Sequence, residues 1–261
     1  MSEIIGIIPA RMASSRFPGK PMADLLGVPM IGHVYIRSKL CNGLDEVYVA
    51  TCDTVIKDYI EGIGGKVIIT SDKHSRASER TAEAVEKIED ITGRSFNYVV
   101  MIQGDLPLIM PEMIEEIISP LEKERELKVV DMISQIKDQK EFENPNNVKV
   151  VMDLNDFAIY YSRQAIPSGK KYNGEVPMWR QPGLIMFQKQ ILLEYVNLEP
   201  TPLEIIESVD MNRLIEHRIK IKFVKTNYAE YFCSIDVPGD MDKVLALMRN
   251  DKYSSKYQKE I

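Results

Sequence analysis

The chain has 261 residues, of which 44% are hydrophobic and 28% charged, and its formal net charge is −6 at pH 7. This composition is typical of a globular protein with a full core, and the acidic balance argues against charge-driven binding to nucleic acid or a membrane surface. The three cysteines and three histidines lack metal-ligand spacing, which argues against a structural zinc site or a disulfide framework. We find neither a signal peptide nor an apolar run of about 20 residues, and therefore expect a cytoplasmic protein.

The first hundred residues alternate between short apolar runs and amphipathic stretches. Largely apolar runs predict buried strands of a parallel sheet at Ile4–Ile8, Val47–Thr51, Val67–Thr70 and Tyr98–Gln103. Helical spacing of apolar residues predicts helices at Met30–Leu40, Thr54–Glu61 and Ser78–Ile91. This β-α-β-α-β order predicts a doubly wound α/β sheet, in which ligands bind at the carboxyl ends of the strands.

Strand-like segments become closely spaced after about residue 128. "VVDMISQI", "NVKVVMDLNDFAIYYSR" and "GLIMF" predict antiparallel strands, with Asn155-Asp156 as a hairpin turn. We therefore predict a main domain, residues 1–143 and 188–261, and a β-rich subdomain, residues 144–187. Helical patterning returns at Pro202–His217 and Pro238–Met248, and the polar residues 250–261 predict a frayed tail.

The stretch "IIPARMASSRFPGKPM", residues 7–22, places Arg11, Arg16 and Lys20 in the loop that follows the first strand. The small residues 13–15 allow backbone N–H groups to approach an anion, and the cations offer charge-assisted donors, so the loop suits a polyphosphate. It lacks the glycines of a Walker A or G-x-G-x-x-G loop. A solvated basic loop is the alternative.

Two carboxylates follow predicted strands. "QGDLP" places Asp105 at the end of one strand, and "IDVPGD" places Asp236 at the end of another, just before a helix. If they converge, they form an oxygen-rich Mg²⁺ site that bridges phosphates. Taken singly, Asp105 suits a glycine-containing turn and Asp236 suits a helix N-cap before Pro238. The spacing alone does not show convergence.

The opening stretch resembles the N-terminal signature of the sugar-acid cytidylyltransferases, most closely the 3-deoxy-manno-octulosonate (Kdo) cytidylyltransferases, or CMP-Kdo synthetases. The resemblance covers nearly the whole chain and continues, in the family's order, through "HSRASERTAEAV", "IQGDLPLI", "VKVVMD...AIYYSRQAIP", "PLEIIESVDMNRL" and "SIDVPGDMDKV". It implies a Rossmann-like nucleotidyltransferase sheet, and a reaction in which CTP and a sugar acid give a CMP-sugar acid and pyrophosphate. It also implies a homodimer, with the β-rich subdomain at the interface, and a role in lipopolysaccharide or another glycan.

The resemblance assigns roles to individual residues. Those implied in catalysis are Arg11, Lys20, Asp105 and Asp236, the two carboxylates holding Mg²⁺. Those implied in nucleotide binding are Ala10, Arg11, Ser15, Arg16, Lys20, Ser78, Arg80 and Gln103. Those implied in acceptor binding are Arg163, Arg180, Gln181, Glu207, Asp210, Met211 and Asn212.

The chain departs from the family pattern at three places. The usual Ser-Gly-Thr reads Arg76-Ala77-Ser78, a usual His is Gln181, and a usual Glu-Gln is Asp210-Met211. Because sites that hydrogen-bond a hydroxyl are sensitive to the loss of one partner, we predict an acceptor related to Kdo but altered in its substituents. Three alternatives stay open: drift within a Kdo enzyme, a different acceptor such as another 2-keto acid or a phosphonate, and a non-catalytic nucleotide-binding regulatory module.

Overall fold

The computed structural model describes residues 3–14, 16–124 and 126–257, without the side chain of residue 255. The chain divides into two compact units. The first unit is Met1–Glu115 with Glu230–Ile261, and the second unit is Glu116–Ala229. The predicted β-rich subdomain, residues 144–187, lies within the second unit.

The elements are numbered in chain order. The strands are β1 (Ile4–Pro9), β2 (Asp24–Leu25), β3 (Val28–Pro29), β4 (Glu46–Thr51), β5 (Val67–Ile69), β6 (Tyr98–Ile102), β7 (Val129–Gln135), β8 (Val148–Met152), β9 (Ala158–Ser162), β10 (Trp179–Gln181), β11 (Leu184–Gln188) and β12 (Ile221–Lys225). The helices are α1 (Met30–Lys39), α2 (Thr54–Gly62), α3 (Ala77–Thr92), α4 (Pro111–Ile118), α5 (Gln139–Glu143), α6 (Lys189–Tyr195), α7 (Pro202–Glu207), α8 (Met211–Glu216), α9 (Met241–Met248) and α10 (Ser254–Tyr257). Within the described ranges, no helix combines the length and apolarity needed to cross a bilayer.

The first unit contains a parallel sheet with the strand order β5-β4-β1-β6. Every residue of β1 is buried, as expected for an inner strand of a parallel sheet covered by helices. The chain passes from β1 outward through β4 to β5 and then returns to the other side of β1 with β6. The strand order therefore reverses between β1 and β6, which is where doubly wound sheets bind ligands. The predicted α/β fold is confirmed.

The second unit is rich in antiparallel strands. Its strand order is β11-β7-β10-β8-β9, with antiparallel neighbours, and β12 pairs in parallel with β7. The predicted hairpin turn joins β8 to β9, with Asp156 at φ 58°. The helical patterning predicted over Pro202–His217 forms two helices, because Ser208 adopts the left-handed conformation (φ 52°) and ends α7 before α8 begins.

The prediction of a frayed tail is wrong for residues 250–257. The fully buried Arg37 of α1 donates to Asp251 Oδ2 at 2.6 Å, to Ser254 Oγ at 2.8 Å and to Tyr257 Oη at 2.9 Å. Tyr257 also bonds to Nδ1 of His33, and burial lowers the pKa of this imidazole to about 4. Polar tail residues thus become core partners of a buried cation.

Candidate active site

The candidate active site forms where the carboxyl ends of β1 and β6 meet. Gly104 follows β6, and a Cβ added there would lie 2.9 Å from the carbonyl oxygen of Pro9 at the end of β1. Real Cβ atoms do not approach that closely, so only glycine permits this contact. The approach brings Asp105, the next residue, to the loop that follows β1.

Backbone contacts fix the shape of that loop. The N–H of Met12 donates to Asp53 Oδ2 at 2.8 Å, and the N–H of Gly19 returns to the carbonyl of Met12 at 3.0 Å. Gly19 has φ 77°, a conformation that favours glycine and that sets the direction of Lys20. Ser15, predicted to contact the nucleotide, lies outside the described residues.

Lys20 joins the two predicted carboxylates. Its Nζ lies 2.7 Å from Asp105 Oδ2 and 3.4 Å from Asp236 Oδ1, and it also donates to the carbonyl of Ile235 at 3.0 Å. Arg16 donates to the same Asp236 oxygen at 2.8 Å. The structure therefore brings together four residues, from three distant parts of the chain, that the family resemblance assigned to one site.

The alternative role of Asp236 as a helix cap belongs instead to Asp240. The Oδ2 atom of Asp240 accepts the N–H groups of Asp236 at 2.8 Å and Val237 at 2.9 Å. The carboxylate of Asp236 is left to contact Arg16 and Lys20. Sequence reasoning missed Asp240, although an Asp three residues after Val237 is a recognisable capping position.

A cleft of about 340 Å³ opens beside these residues. The cationic side chains that line it are Arg11, Arg16, Lys20, Arg76 and Arg80. Ala10, Gln103 and Asp105 line it as well, and Ser78 is fully buried in the first turn of α3. The volume lies within the range of small-molecule sites, and the lining favours an anionic ligand.

Arg80 carries a donor that has no partner among the described residues. The residue is 3% exposed, and one guanidinium nitrogen bonds to Thr70 Oγ1. The other, Nη2, is buried without a hydrogen-bond partner among the described residues. Because a buried unpaired donor is costly, its place on a cleft-lining side chain points to a ligand that carries an acceptor atom.

Arg11 is held by a contact that sequence reasoning did not assign. Its Nη1 donates to the carbonyl of His74 at 3.2 Å, and the ring of His74 is hydrogen bonded to Glu83. Burial works against ionisation of Glu83, yet hydrogen bonds from Lys87, the Ser71 N–H and His74 lower its pKa to about 2. Glu83 therefore stays ionised and fixes His74, which in turn directs Arg11 towards the cleft.

Two predicted acceptor residues, Arg163 and Glu207, meet in the second unit. The carboxylate of Glu207 accepts the N–H of Arg163 at 2.7 Å and the hydroxyl of Tyr160 at 2.8 Å. The guanidinium of Arg163 donates to the carbonyls of Glu207 at 2.8 Å, Pro145 at 3.0 Å and Ser208 at 3.1 Å. These contacts give Arg163 a structural task, and its contact with an acceptor stays a prediction.

Arg180 and Gln181 of β10 both have partners within the second unit. Arg180 donates to Ser134 Oγ at 3.0 Å and forms an ion pair with Glu141 at 2.7 Å. Gln181 Nε2 donates to Asp131 Oδ2 at 2.7 Å. Asp131 is fully buried and was missed by sequence reasoning, because it lies inside an apolar strand pattern.

The remaining predicted acceptor residues lie at the start of α8. Asp210 precedes the helix, while Met211 and Asn212 are 1% and 0% exposed. The amide of Asn212 donates to the carbonyl of Tyr161 at 3.0 Å and accepts the N–H of Tyr161 at 3.3 Å. Asn212 therefore clamps the backbone of β9.

Comparison with known proteins identifies the family. A family model described as cytidylyltransferase matches residues 5–221. A mitochondrial 3-deoxy-manno-octulosonate cytidylyltransferase of Arabidopsis thaliana is 38% identical over 97% of this chain and 86% of its own length. The enzyme of the same name from Thermodesulfovibrio yellowstonii is 40% identical over 91% of this chain and 95% of its own length. A solved CMP:2-keto-3-deoxy-manno-octonic acid synthetase complexed with CTP superposes with a TM-score of 0.87 at 31% identity, covering 95% of this chain and 99% of that one. The chain therefore belongs to the cytidylyltransferase family, within the group of 3-deoxy-manno-octulosonate cytidylyltransferases.

Proposed function

We propose that the protein transfers the cytidylyl group of CTP to a Kdo-like sugar acid and releases pyrophosphate. The observation that carries this proposal is the single ammonium of Lys20 that joins the carboxylates of Asp105 and Asp236 beside a cation-lined cleft. The solved relative bound to CTP and the relatives named as Kdo cytidylyltransferases support the choice of both substrates.

In the proposed reaction the anomeric hydroxyl of the sugar acid attacks the α-phosphorus of CTP. The new O–P bond forms as the bond to the β-phosphate oxygen breaks, pyrophosphate leaves, and the hydroxyl proton passes to water. Such a displacement requires positioning and charge neutralisation rather than a covalent intermediate. Arg11, Arg16 and Lys20 offset the charge of the triphosphate, and Nη2 of Arg80, which has no partner among the described residues, offers a further donor to the nucleotide.

The carboxylates of Asp105 and Asp236 fit the requirements of Mg²⁺. They supply hard oxygen donors that lie around one Nζ atom. Across the described ranges, no cluster of three or more Asp, Glu, His or Cys side chains forms a metal site, so phosphate and water oxygens would complete the coordination. Mg²⁺ often binds through one or two carboxylates together with substrate phosphates. When bound, Mg²⁺ neutralises phosphate charge and makes the attacking hydroxyl more acidic.

Replacing Lys20 with Ala should weaken CTP binding. One charge-assisted phosphate contact is lost, and the two carboxylates lose their shared cation, so we expect CTP affinity to fall by about 10- to 150-fold, or ~1.5–3 kcal/mol. Isothermal titration calorimetry measures the change, and Lys39→Ala, an exposed lysine of α1, is the matched control. Unchanged CTP affinity in the folded Lys20→Ala protein would contradict the phosphate role of this loop.

The acceptor is proposed to differ from Kdo in one or more substituents. Gln181, Asp210 and Met211 replace residues that the family motif carries, and each change alters hydrogen bonding. A pyrophosphate-release assay with CTP should give a higher kcat/KM for at least one of a panel of amino-substituted Kdo analogues and other 2-keto acids than for Kdo. If Kdo is used at least as well as every analogue, the acceptor is unaltered. Turnover of a phosphonate alone would favour a different acceptor class, and no turnover with any acid would favour a regulatory module.

We also propose a cytoplasmic homodimer that binds neither nucleic acid nor membrane. Exposed apolar side chains in the second unit support the dimer: Leu154, Ile159, Ile205 and Ile206. Burial of such side chains between copies is favourable. Sedimentation velocity should give twice the chain mass of 29.9 kDa, and a monomer at micromolar concentration would count against the dimer.

A further inference from the structure

Asp131 is a buried carboxyl group with no cationic hydrogen-bond partner among the described residues. It lies in β7 and is 0% exposed, and its Oδ2 accepts from Tyr161 Oη at 2.8 Å and from Gln181 Nε2 at 2.7 Å. None of its hydrogen-bond partners among the described residues is a cation, and Oδ1 has no partner among them. A buried carboxyl group in this state is costly, so its presence in an otherwise apolar strand needs an explanation.

Both partners of Asp131 Oδ2 are donors. Burial, followed by the proximity of Asp131, raises the pKa of Tyr161 well above its ordinary value, so Tyr161 keeps its proton and donates it. Asn212 holds the backbone of Tyr161 through its own amide, which fixes the position of the tyrosine. Oδ2 therefore acts as an acceptor, and it draws the NH₂ group of Gln181 inward.

The orientation of the Gln181 amide follows from this contact. Because Nε2 is directed to Asp131, the amide oxygen of Gln181, Oε1, is not engaged by that carboxyl group. Within the described part of the chain, Oε1 has no hydrogen-bond partner. Gln181 is half-buried, so part of the residue is accessible from solvent. A carbonyl oxygen accepts a hydrogen bond and cannot donate one.

We propose that Asp131 is a positioning residue that sets acceptor selectivity. It holds the Gln181 amide so that Oε1 faces the acceptor. This orientation favours a sugar acid that presents an O–H or N–H donor to Oε1, and an ammonium group most of all. This inference rests on the proposed function, in which Gln181 contacts the acceptor.

The chemistry of a hydrogen bond to the carbonyl oxygen of Gln181 explains why an ammonium is favoured over a hydroxyl. An ammonium is a charged donor, and a hydrogen bond from a charged donor is roughly twice as strong as a neutral one. The histidine of the family motif, when protonated, would repel an ammonium, whereas the neutral amide does not. Burial raises the pKa of Asp131 to about 8, and the oriented carbonyl of Gln181, rather than the charge of this carboxyl group, provides the selectivity.

The test compares kcat/KM for Kdo with kcat/KM for Kdo analogues in which each tail hydroxyl in turn is replaced by an amino group. For the best amino analogue, wild type should show a preference over Kdo of about tenfold, the effect of one charge-assisted hydrogen bond. Asp131→Asn keeps an acceptor oxygen and should keep the preference. Asp131→Leu frees the amide and Gln181→Met removes its oxygen, so both should lose the preference while the KM for CTP stays unchanged.

The outcomes separate this inference from the proposed function. If wild type releases no pyrophosphate from CTP with any sugar acid, the proposed function fails. If wild type is active but does not favour any amino analogue, or if Gln181→Met keeps the preference, the selectivity role fails. If Asp131→Leu keeps the preference while Gln181→Met loses it, Gln181 acts without Asp131 and the positioning role is wrong. Should Asp131→Leu not fold, Asp131→Ser, whose side chain is too short to hold the Gln181 amide, takes its place, and a kept preference in that variant would contradict the positioning role.

Discussion

Replacing Asp105 or Asp236 with Asn is expected to lower kcat by about 10²–10³-fold, the usual loss when one group that stabilises developing charge is removed. Each carboxylate lies beside Lys20 Nζ, at 2.7 Å for Asp105 and 3.4 Å for Asp236, at the edge of the cleft. An amide has the same shape but no charge, so it binds Mg²⁺ and Lys20 poorly. The assay is pyrophosphate release at saturating CTP and sugar acid.

A matched control separates this loss of charge at the site from a general effect of charge. Asp242→Asn removes a carboxylate from the exposed face of α9, only six residues from Asp236, and should leave kcat unchanged. Thermal unfolding of all three variants should show that each folds. Near-normal turnover by Asp236→Asn would contradict its role at the site, because Asp240 already caps the turn.

Replacing Arg37 with Met is expected to cost about 3–5 kcal/mol of unfolding free energy, since it leaves a buried charge without its partner. The ion pair between Arg37 and Asp251 spans 2.6 Å, and the two side chains are 0% and 2% exposed. Arg37 also lies over the rings of Tyr253 and Tyr257, so its loss removes packing as well. For a chain of this size the midpoint of thermal unfolding should fall by roughly 6–20 °C.

A double-mutant cycle tests the cause of that loss. Arg37→Met combined with Asp251→Leu removes both charges and should be less destabilised than Arg37→Met alone. The solvent-exposed pair of Lys57 and Glu61 on α2 is the control, and Lys57→Met there should leave the unfolding free energy essentially unchanged. If Arg37→Met is no more harmful than this control, the buried pair does not hold the tail in place.

Ligands of a doubly wound sheet bind at the carboxyl ends of its strands, and this rule accounts for much of what the sequence predicted about the site. β1 and β6 were identified from their apolar runs, and Asp105 followed as a polar residue at a carboxyl end. The same rule applies to Asp53, which follows β4 and holds the loop through Met12, but it lacked a neighbouring cluster of charges to mark it. Gly104 was visible in the motif, whereas its close approach to Pro9 depends on strand pairing.

The tail shows where local pattern stops being informative. Asp251 and Ser254 are polar residues in a polar stretch, which ordinarily indicates solvent exposure. They are buried because Arg37, more than two hundred residues earlier, is itself buried and requires their oxygens. A contact over that sequence distance leaves no signature in the periodicity of either segment. The same holds for Asp131, whose partners lie on other strands.

The order of the two units along the chain has a consequence for synthesis on the ribosome. Residues Glu116–Ala229 are contiguous, so the second unit can fold as soon as they emerge. The first unit is split, and its core joins Leu25 and Met30 to Ile235, Val244 and Met248. During translation, Arg37, Leu25 and Met30 are synthesised long before their partners, such as Asp251 and Ile235. Asp236, which lies beside the cleft, therefore joins Arg16 and Lys20 only after the second unit has been synthesised, and until then the apolar cluster of the first unit lacks part of its partners.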